Sequence, residues 1–371
     1  MKKIFFVITI ALLAFTGCSS TSQLDPTTTP TSSNTATVTP NPTNTPTPTQ
    51  IPTSTPTLTL TPTPNGSGMG KLAYVKTMKQ VKSDNSEIYV QNLYIYDLTT
   101  KQETQITKNE KDTSFFGYYD ISWTPDGQRL VYVTRTYTYD YGQQQFWNGI
   151  IYTINVDGTN IKMESTFPQF AGNYTGEDVI NDYRPFFIDK DKMLFLSNRK
   201  NLQNFLWETP LPYILNTSTL EITTPFTTYL KVEYLSMSPD QTKIAFMASD
   251  GDSEIFIADL ANNGKVTQIT KNNYADRFPM FSPDGEWIAF HSDRDGNIEL
   301  YVMKIDGSDV KRVTINPAMD ATASWSPDGK WLSFYSDQTG TAEAYIQNIE
   351  TGERIQITNG GNAISFVRWA P

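Results

Sequence analysis

The stretch "FPMFSPDGEWIAFHSDRDGNIELYVMKIDGSDVKRVT", residues 278–314, alternates apolar and polar side chains and breaks at "SPDG", "SDRDGN" and "DGSD". A period of two places alternate side chains on opposite faces of a strand. Asp-Gly is turn chemistry, since the carboxylate bonds nearby backbone N–H groups and glycine takes positive φ at no steric cost. Four short strands follow from this reading. Strand A lies near Phe278 to Phe281 and strand B runs from Trp287 to His291. Strand C runs from Glu299 to Ile305, and strand D ends at Thr314.

The unit repeats. Pro239-Asp240, Pro283-Asp284 and Pro327-Asp328 are spaced by 44 residues, and a further 44 reaches Pro371. Ile269-Thr270, Val313-Thr314 and Ile357-Thr358 keep the same beat. Six C–D strand pairs can be counted, beginning at Asn92, Gly149, Leu211, Glu254, Glu299 and Glu343. Four antiparallel strands repeated about every 40 to 45 residues predict a propeller blade. The expected fold is therefore all-β, a six-bladed β-propeller over 69–371. The first unit, from Gly70, has no strand A before it, and the closing "SFVRWAP" (365–371) is a strand A with nothing after it. Pairing the two would close the ring and remove both open edges.

The unit resembles the TolB-like, PD40-type (WD40-like) propeller repeat, related to those of the prolyl-oligopeptidase and dipeptidyl-peptidase IV families. The resemblance is strong over 233–270, 276–314 and 320–358 and clear at "ISWTPDGQRLVYV". It is degraded at "PFFIDKDKMLFLSNR", where Ile188-Asp189-Lys190 replaces Pro-Asp-Gly. It implies a fold and leaves function to be argued from sites. TolB itself carries an α/β domain before its propeller, and the peptidases carry a serine hydrolase; no G-x-S-x-G occurs here.

What precedes the repeats is different. Residues 1–18 combine Lys2 and Lys3 with an apolar run from Ile4 to Phe15, and close on Phe15-Thr16-Gly17-Cys18. This reads as a secretion signal, and its end resembles a bacterial lipobox, in which Cys18 is lipidated. The expected location is across the cytoplasmic membrane and lipid-anchored, at the outer membrane, periplasm or cell surface. Residues 19–68 are a Thr/Pro-rich disordered tether that cannot bury a core. Its 39 residues from Pro26 to Pro64 would reach on the order of 120 Å in polyproline II form.

Composition narrows the function classes. The 371 residues carry a net charge of −10, which disfavours nucleic acid. One Cys and one His, His291, exclude multi-His metal sites, and oligogalacturonate-lyase-like propellers need more. His291 is expected to be an ordinary, partly exposed side chain. The "SPDG" aspartates (Asp126, Asp240, Asp284, Asp328) are expected to serve turns, and "SDRDGN" lacks the full pattern of a calcium loop. Trp123, Trp325 and Trp369 on strand A, with Trp287 and Trp331 on strand B, are expected to form core between blades.

Two candidate sites remain. Insertions in B–C or D–A loops fall on one rim: Lys76 to Glu87, Asn109 to Tyr119, Thr134 to Gly149, Phe167 to Asp182, and Arg199 to Pro210. They carry Tyr118, Tyr119, Tyr137, Tyr139, Tyr141, Phe146, Trp147, Tyr174 and Trp207, a candidate binding rim. Acidic residues recur where strand A begins: Asp120, Asp182, Glu233, Asp276 and Asp320. They are a candidate ring at the channel mouth, which would hold a cation such as calcium or an Arg or Lys side chain; Arg184 and Arg277 are the nearest candidates to neutralise it. No cofactor is otherwise expected. The expected function is a non-enzymatic envelope lipoprotein binding a protein or peptide. The alternative is a glycan-binding or glycan-processing propeller using those carboxylates.

Overall fold

The structure, a computed structural model, describes residues 70–112, 116–139, 145–165, 182–198, 210–249 and 252–371. The residues expected to form a signal and a tether, with Cys18, lie outside this set, as do Tyr141, Tyr174 and Trp207. Six four-stranded antiparallel sheets are present, and the protein is an all-β, six-bladed propeller.

Blade 1 contains β1 (Lys71–Val81), β2 (Glu87–Asp97) and β3 (Gln102–Gln105), with β24 (Ala363–Trp369) on its inner side. Blade 2 is β4 (Phe116–Trp123), β5 (Arg129–Tyr139), β6 (Gln145–Asn155) and β7 (Lys162–Met163). Blade 3 is β8 (Asp182–Phe187), β9 (Lys192–Ser197), β10 (Leu211–Asn216) and β11 (Ile222–Thr223). Blade 4 is β12 (Lys231–Met237), β13 (Lys243–Ser249), β14 (Ser253–Asp259) and β15 (Lys265–Gln268). Blade 5 is β16 (Asp276–Phe281), β17 (Trp287–Ser292), β18 (Glu299–Lys304) and β19 (Lys311–Arg312). Blade 6 is β20 (Asp320–Trp325), β21 (Trp331–Ser336), β22 (Glu343–Asn348) and β23 (Arg354–Gln356).

The seam closes as the sequence implies. β24 pairs with β1 from Leu72↔Trp369 to Thr77↔Ala363. Leu72 and Trp369, 297 residues apart, thereby share one sheet, and neither inner edge is left unpaired.

Each blade buries its two faces against its neighbours. Six clusters of buried apolar residues result, one at each blade–blade interface. Strands B and C repeat one device in every blade, an aromatic pair set directly opposite in register. The pairs are Tyr74–Tyr94, Tyr132–Tyr152, Phe195–Tyr213, Phe246–Phe256, Phe290–Tyr301 and Phe334–Tyr345. Ring centroids lie 5.5 to 6.2 Å apart, within the range of favourable aromatic contact. Trp123, Trp325 and Trp369 are buried between blades, and Trp287 and Trp331 pack partly buried at their edges.

The "SPDG" turns are structural. In blade 5 the Ser282 hydroxyl donates to Asp284 at 2.5 Å and accepts from Trp287 N at 2.9 Å. Ser238–Asp240 and Ser326–Asp328 reproduce it, with Thr124–Asp126 a hydroxyl variant. The Thr of each "IT" marker ties strand D back to strand C: Thr270 and Thr358 accept from Ile255 N and Ala344 N, each at 2.9 Å, and donate to Glu254 and Glu343.

Two expected insertions have a different form. Lys76 to Glu87 is mostly ladder, because β1 and β2 stay paired out to Val81↔Glu87. Thr134 to Gly149 is likewise an extension of β5 and β6, paired out to Tyr139↔Gln145. The reason is visible in "TRTYTY", which alternates β-branched and aromatic residues with strand propensity. These strands have 11 residues where the corresponding strands of blades 5 and 6 have 6.

Candidate functional site

The inner strands set the geometry of the centre. Each carries a β-bulge, so that one extra residue is pushed out of the ladder. In five blades a non-glycine residue at the bulge is left-handed: Asp120, Arg184, Phe278, Thr322 and Phe366, with φ of 53, 58, 57, 58 and 53°. Side chains other than Asn and Asp rarely adopt this conformation, and for β-branched Thr322 it is a genuine outlier. In blade 4 the bulge carries no such residue, and Tyr234 stands at the equivalent position.

These residues meet one another. Arg184 forms an ion pair with Asp120 of the preceding blade. Its guanidinium lies 5.2 Å from the Tyr234 ring centroid and 5.3 Å from that of Phe278. Those two rings are 4.8 Å apart. Arg368, on the closing strand of blade 1, donates from Nη2 to the Tyr234 hydroxyl at 3.1 Å. Blades 1 and 4 are opposite in a ring of six, so this bond spans the axis. Arg368 Nη1 donates to the Val367 and Thr322 carbonyls at 3.1 and 3.3 Å. The central channel is therefore crossed by side chains at this level.

His291 is buried, with 5% of its surface exposed, and its ring packs at a tilt against Phe278 with centroids 4.7 Å apart. The expectation of a partly exposed histidine is corrected by its place on β17, directly opposite Arg277 and beneath the bulge. Burial, with the Arg277 charge, lowers its pKa to about 3. It is neutral at any physiological pH.

The five acids of the candidate ring occupy three different positions of the repeat. Asp120 sits at the bulge itself and holds Arg184. Asp182, Asp276 and Asp320 stand two residues before the bulge and are fully buried. Asp276 accepts from Arg294 at 2.9 and 3.0 Å and from Asn272 at 2.8 Å. Asp320 accepts from Arg354 at 2.9 and 3.1 Å and from Asn316 at 2.7 Å. Both arginines also lie over the aromatic pair of their own blade. These two acids thus tie the inner strand to the body of the blade. Glu233 is partly exposed and pairs with Lys231 at 2.7 Å. Among the described residues no group of three or more His, Cys, Asp or Glu could hold a metal ion.

The aromatic rim divides. Tyr118 is buried between blades 1 and 2, where its ring is 5.4 Å from Tyr132 and its N–H donates to Gln91 Oε1 at 2.9 Å. Tyr119 is half-buried under Arg135. Tyr137, Tyr139, Phe146 and Trp147 lie on the overhanging ribbon of β5 and β6, with Tyr137 opposite Trp147 in register. The neighbouring overhang, β1 and β2, exposes Val81 and Tyr89. Sequence reading named Arg184 as a partner for the acids but missed Tyr234, Phe278 and Arg368, which gather around it. The available signal was the 44-residue spacing of 278, 322 and 366, the first two of which lie two residues after Asp276 and Asp320.

Comparison with known proteins agrees with this architecture. Residues 232–371 match the family model of the TolB beta propeller domain, PD40. Over 57 residues the chain is 37% identical to the Tol-Pal system protein TolB of Bordetella pertussis, covering 15% of this chain and 13% of that one. The chain thus matches about an eighth of the length of this curated relative. Among solved structures, TolB from Acinetobacter baumannii superposes with a TM-score of 0.61 at 19% identity, over 82% of this chain and 68% of that chain. The putative TolB from Agrobacterium tumefaciens gives 0.56 at 17%, over 81% and 99%. Residues 232–371 thus match the PD40 family model, and the ring of six blades described above has a TolB-like β-propeller fold.

Proposed function

We propose that this propeller is the partner-binding module of a cell-envelope lipoprotein, anchored through Cys18 and held off the membrane by the 19–68 tether, and that it binds a protein or peptide. The carrying observation is the pair of two-stranded ribbons, β1–β2 and β5–β6, that run beyond their own sheets on the same face of blades 1 and 2. An isolated two-stranded ribbon is at best marginally stable in water. Ribbons that outrun their sheets expose strand edges suited to meeting another chain. The interior offers less room, since Arg184, Tyr234 and Arg368 cross it. The relative named as a Tol-Pal system protein supports an envelope protein-binding role and a periplasmic location.

Glycan processing would need two carboxylates free to act. Asp120, Asp276 and Asp320 each hold an arginine and Glu233 holds a lysine, so protein binding is the better reading. The test is a pull-down from envelope extract with the full chain, against a variant in which residues 137–147 are replaced by a two-residue turn. One protein enriched by the first and lost with the second is expected; equal recovery by both would refute the assignment to this face. Palmitate labelling that disappears in Cys18→Ser is the expected result for the anchor.

A further inference from the structure

We propose that the central channel contains a binding site for one small monovalent anion, carboxylate in class, built around Arg368. Arg368 is buried to 6% exposure. Its hydrogen-bond partners are neutral: one phenol and two carbonyls. Among the described residues no carboxylate lies within ion-pairing reach of it, nor of Arg277, whose hydrogen bond is to the Ser253 hydroxyl at 3.4 Å. A guanidinium does not deprotonate in proteins. Buried arginines are ordinarily matched by a counter-charge, because neutral acceptors satisfy the N–H groups and leave the charge uncompensated.

The surroundings point the same way. Arg184, from the inner strand of blade 3, reaches the same Tyr234 ring and is already paired with Asp120, so Arg368 is the guanidinium of this cluster without a counter-charge. Three buried polar atoms of the same contact network lack a hydrogen-bond partner: Arg184 Nε, Thr322 Oγ1 and His291 Nδ1. Thr322 and His291 are themselves 4% and 5% exposed. Thr322 is joined to Arg368 through its carbonyl, and His291 is joined through Phe278 and Tyr234. Water could satisfy these atoms but would not neutralise Arg368, which an anion beside it would. The left-handed bulge residues that bring the cluster together are the kind of backbone outlier that accompanies ligand sites. The inference stands on the channel alone and is independent of which face binds a partner.

The test uses the full chain in a buffer whose only anion is bulky gluconate, at constant ionic strength. Sodium acetate, sodium bromide or N-acetyl-glutamate amide is then titrated while Tm is followed. A saturable rise is expected, at least about 2 °C once the anion is tenfold over its dissociation constant. In Arg368→Met the rise is expected to vanish, and in Arg368→Lys to weaken. A response to acetate and bromide only would identify a free small anion as the occupant. A response that includes the glutamate derivative would identify a carboxylate presented by a peptide. No saturable response to any of the three, or the same response in Arg368→Met, would overturn the proposal. Should Arg368→Met fail to fold, crystals of the unaltered chain soaked in bromide decide. An anomalous peak beside Arg368 is expected, and its absence would equally overturn the site.

Discussion

Arg368 and Tyr234 are 134 residues apart in sequence and meet across the propeller axis through a 3.1 Å hydrogen bond. The bond joins the closing strand of the first blade to the inner strand of the fourth. Replacing Tyr234 by Phe keeps the ring against Phe278 and removes one acceptor from a buried guanidinium. The expected cost is about 1–3 kcal/mol, read as a lower midpoint in urea with an unchanged slope.

The closing seam carries more. Trp369 is buried between blades 6 and 1, faces Leu72 in the ladder, and donates its backbone N–H to Ser324 Oγ at 3.2 Å. Trp369→Ala should destabilise the propeller by about 3–5 kcal/mol. Proteolysis should then cut first at the seam strands, because loss of the inner strand exposes the edge of β1.

Asp320 and Arg354 link the first and last strands of blade 6. Asp320→Ala leaves Arg354 partly buried over Phe334 and Tyr345 without its counter-charge. It should cost about 3–5 kcal/mol. Adding Arg354→Met should recover part of that loss, and a double-mutant cycle should give a coupling of at least about 1 kcal/mol. Additive effects would show that the pair is not a structural tie.

His291 gives the fold a pH dependence of known sign. Its folded pKa is lowered to about 3, whereas the unfolded value is near 6.5. The unfolded chain therefore binds the extra proton first as pH falls below about 6.5, and stability drops until pH reaches about 3. At pH 5 the loss should be about 2 kcal/mol relative to pH 7.5. His291→Phe should lack this component, which comparison of urea midpoints at the two pH values would show.

The fold was legible because its signals are local and repeated. Pro-Asp turns, the Ile-Thr or Val-Thr beat and period-two strands each recur at 44 residues, and the half-motif from Ser365 to Pro371 matches the inner strand that β24 supplies at the seam. The centre was not legible for a different reason. Which residue of an inner strand reaches the axis depends on the bulge, and a bulge shifts the register by one residue without any mark in the hydrophobic pattern. Asp276 and Asp320 thus drew attention while Phe278 and Thr322, two residues on, stand at the bulge. Asp120 alone of the five acids sits there. The β1–β2 ribbon was read as a loop because Lys82 to Ser86 carries the turn signals and Lys76 to Gln80 is too polar to announce itself as ladder, whereas the strand pattern of the β5–β6 ribbon was present in "TRTYTY" and was passed over.

The most direct test that the ribbon face is the one a partner meets is site-specific photocrosslinking in intact cells. A photoreactive residue would be placed at Ser83 or Tyr89 on the β1–β2 ribbon, and at Asp284 or Asp306 on the turns of the opposite face, all of them exposed. A discrete protein adduct is predicted from Ser83 and Tyr89 and none from Asp284 or Asp306. Adducts from the opposite face alone, or from neither face, would contradict the account.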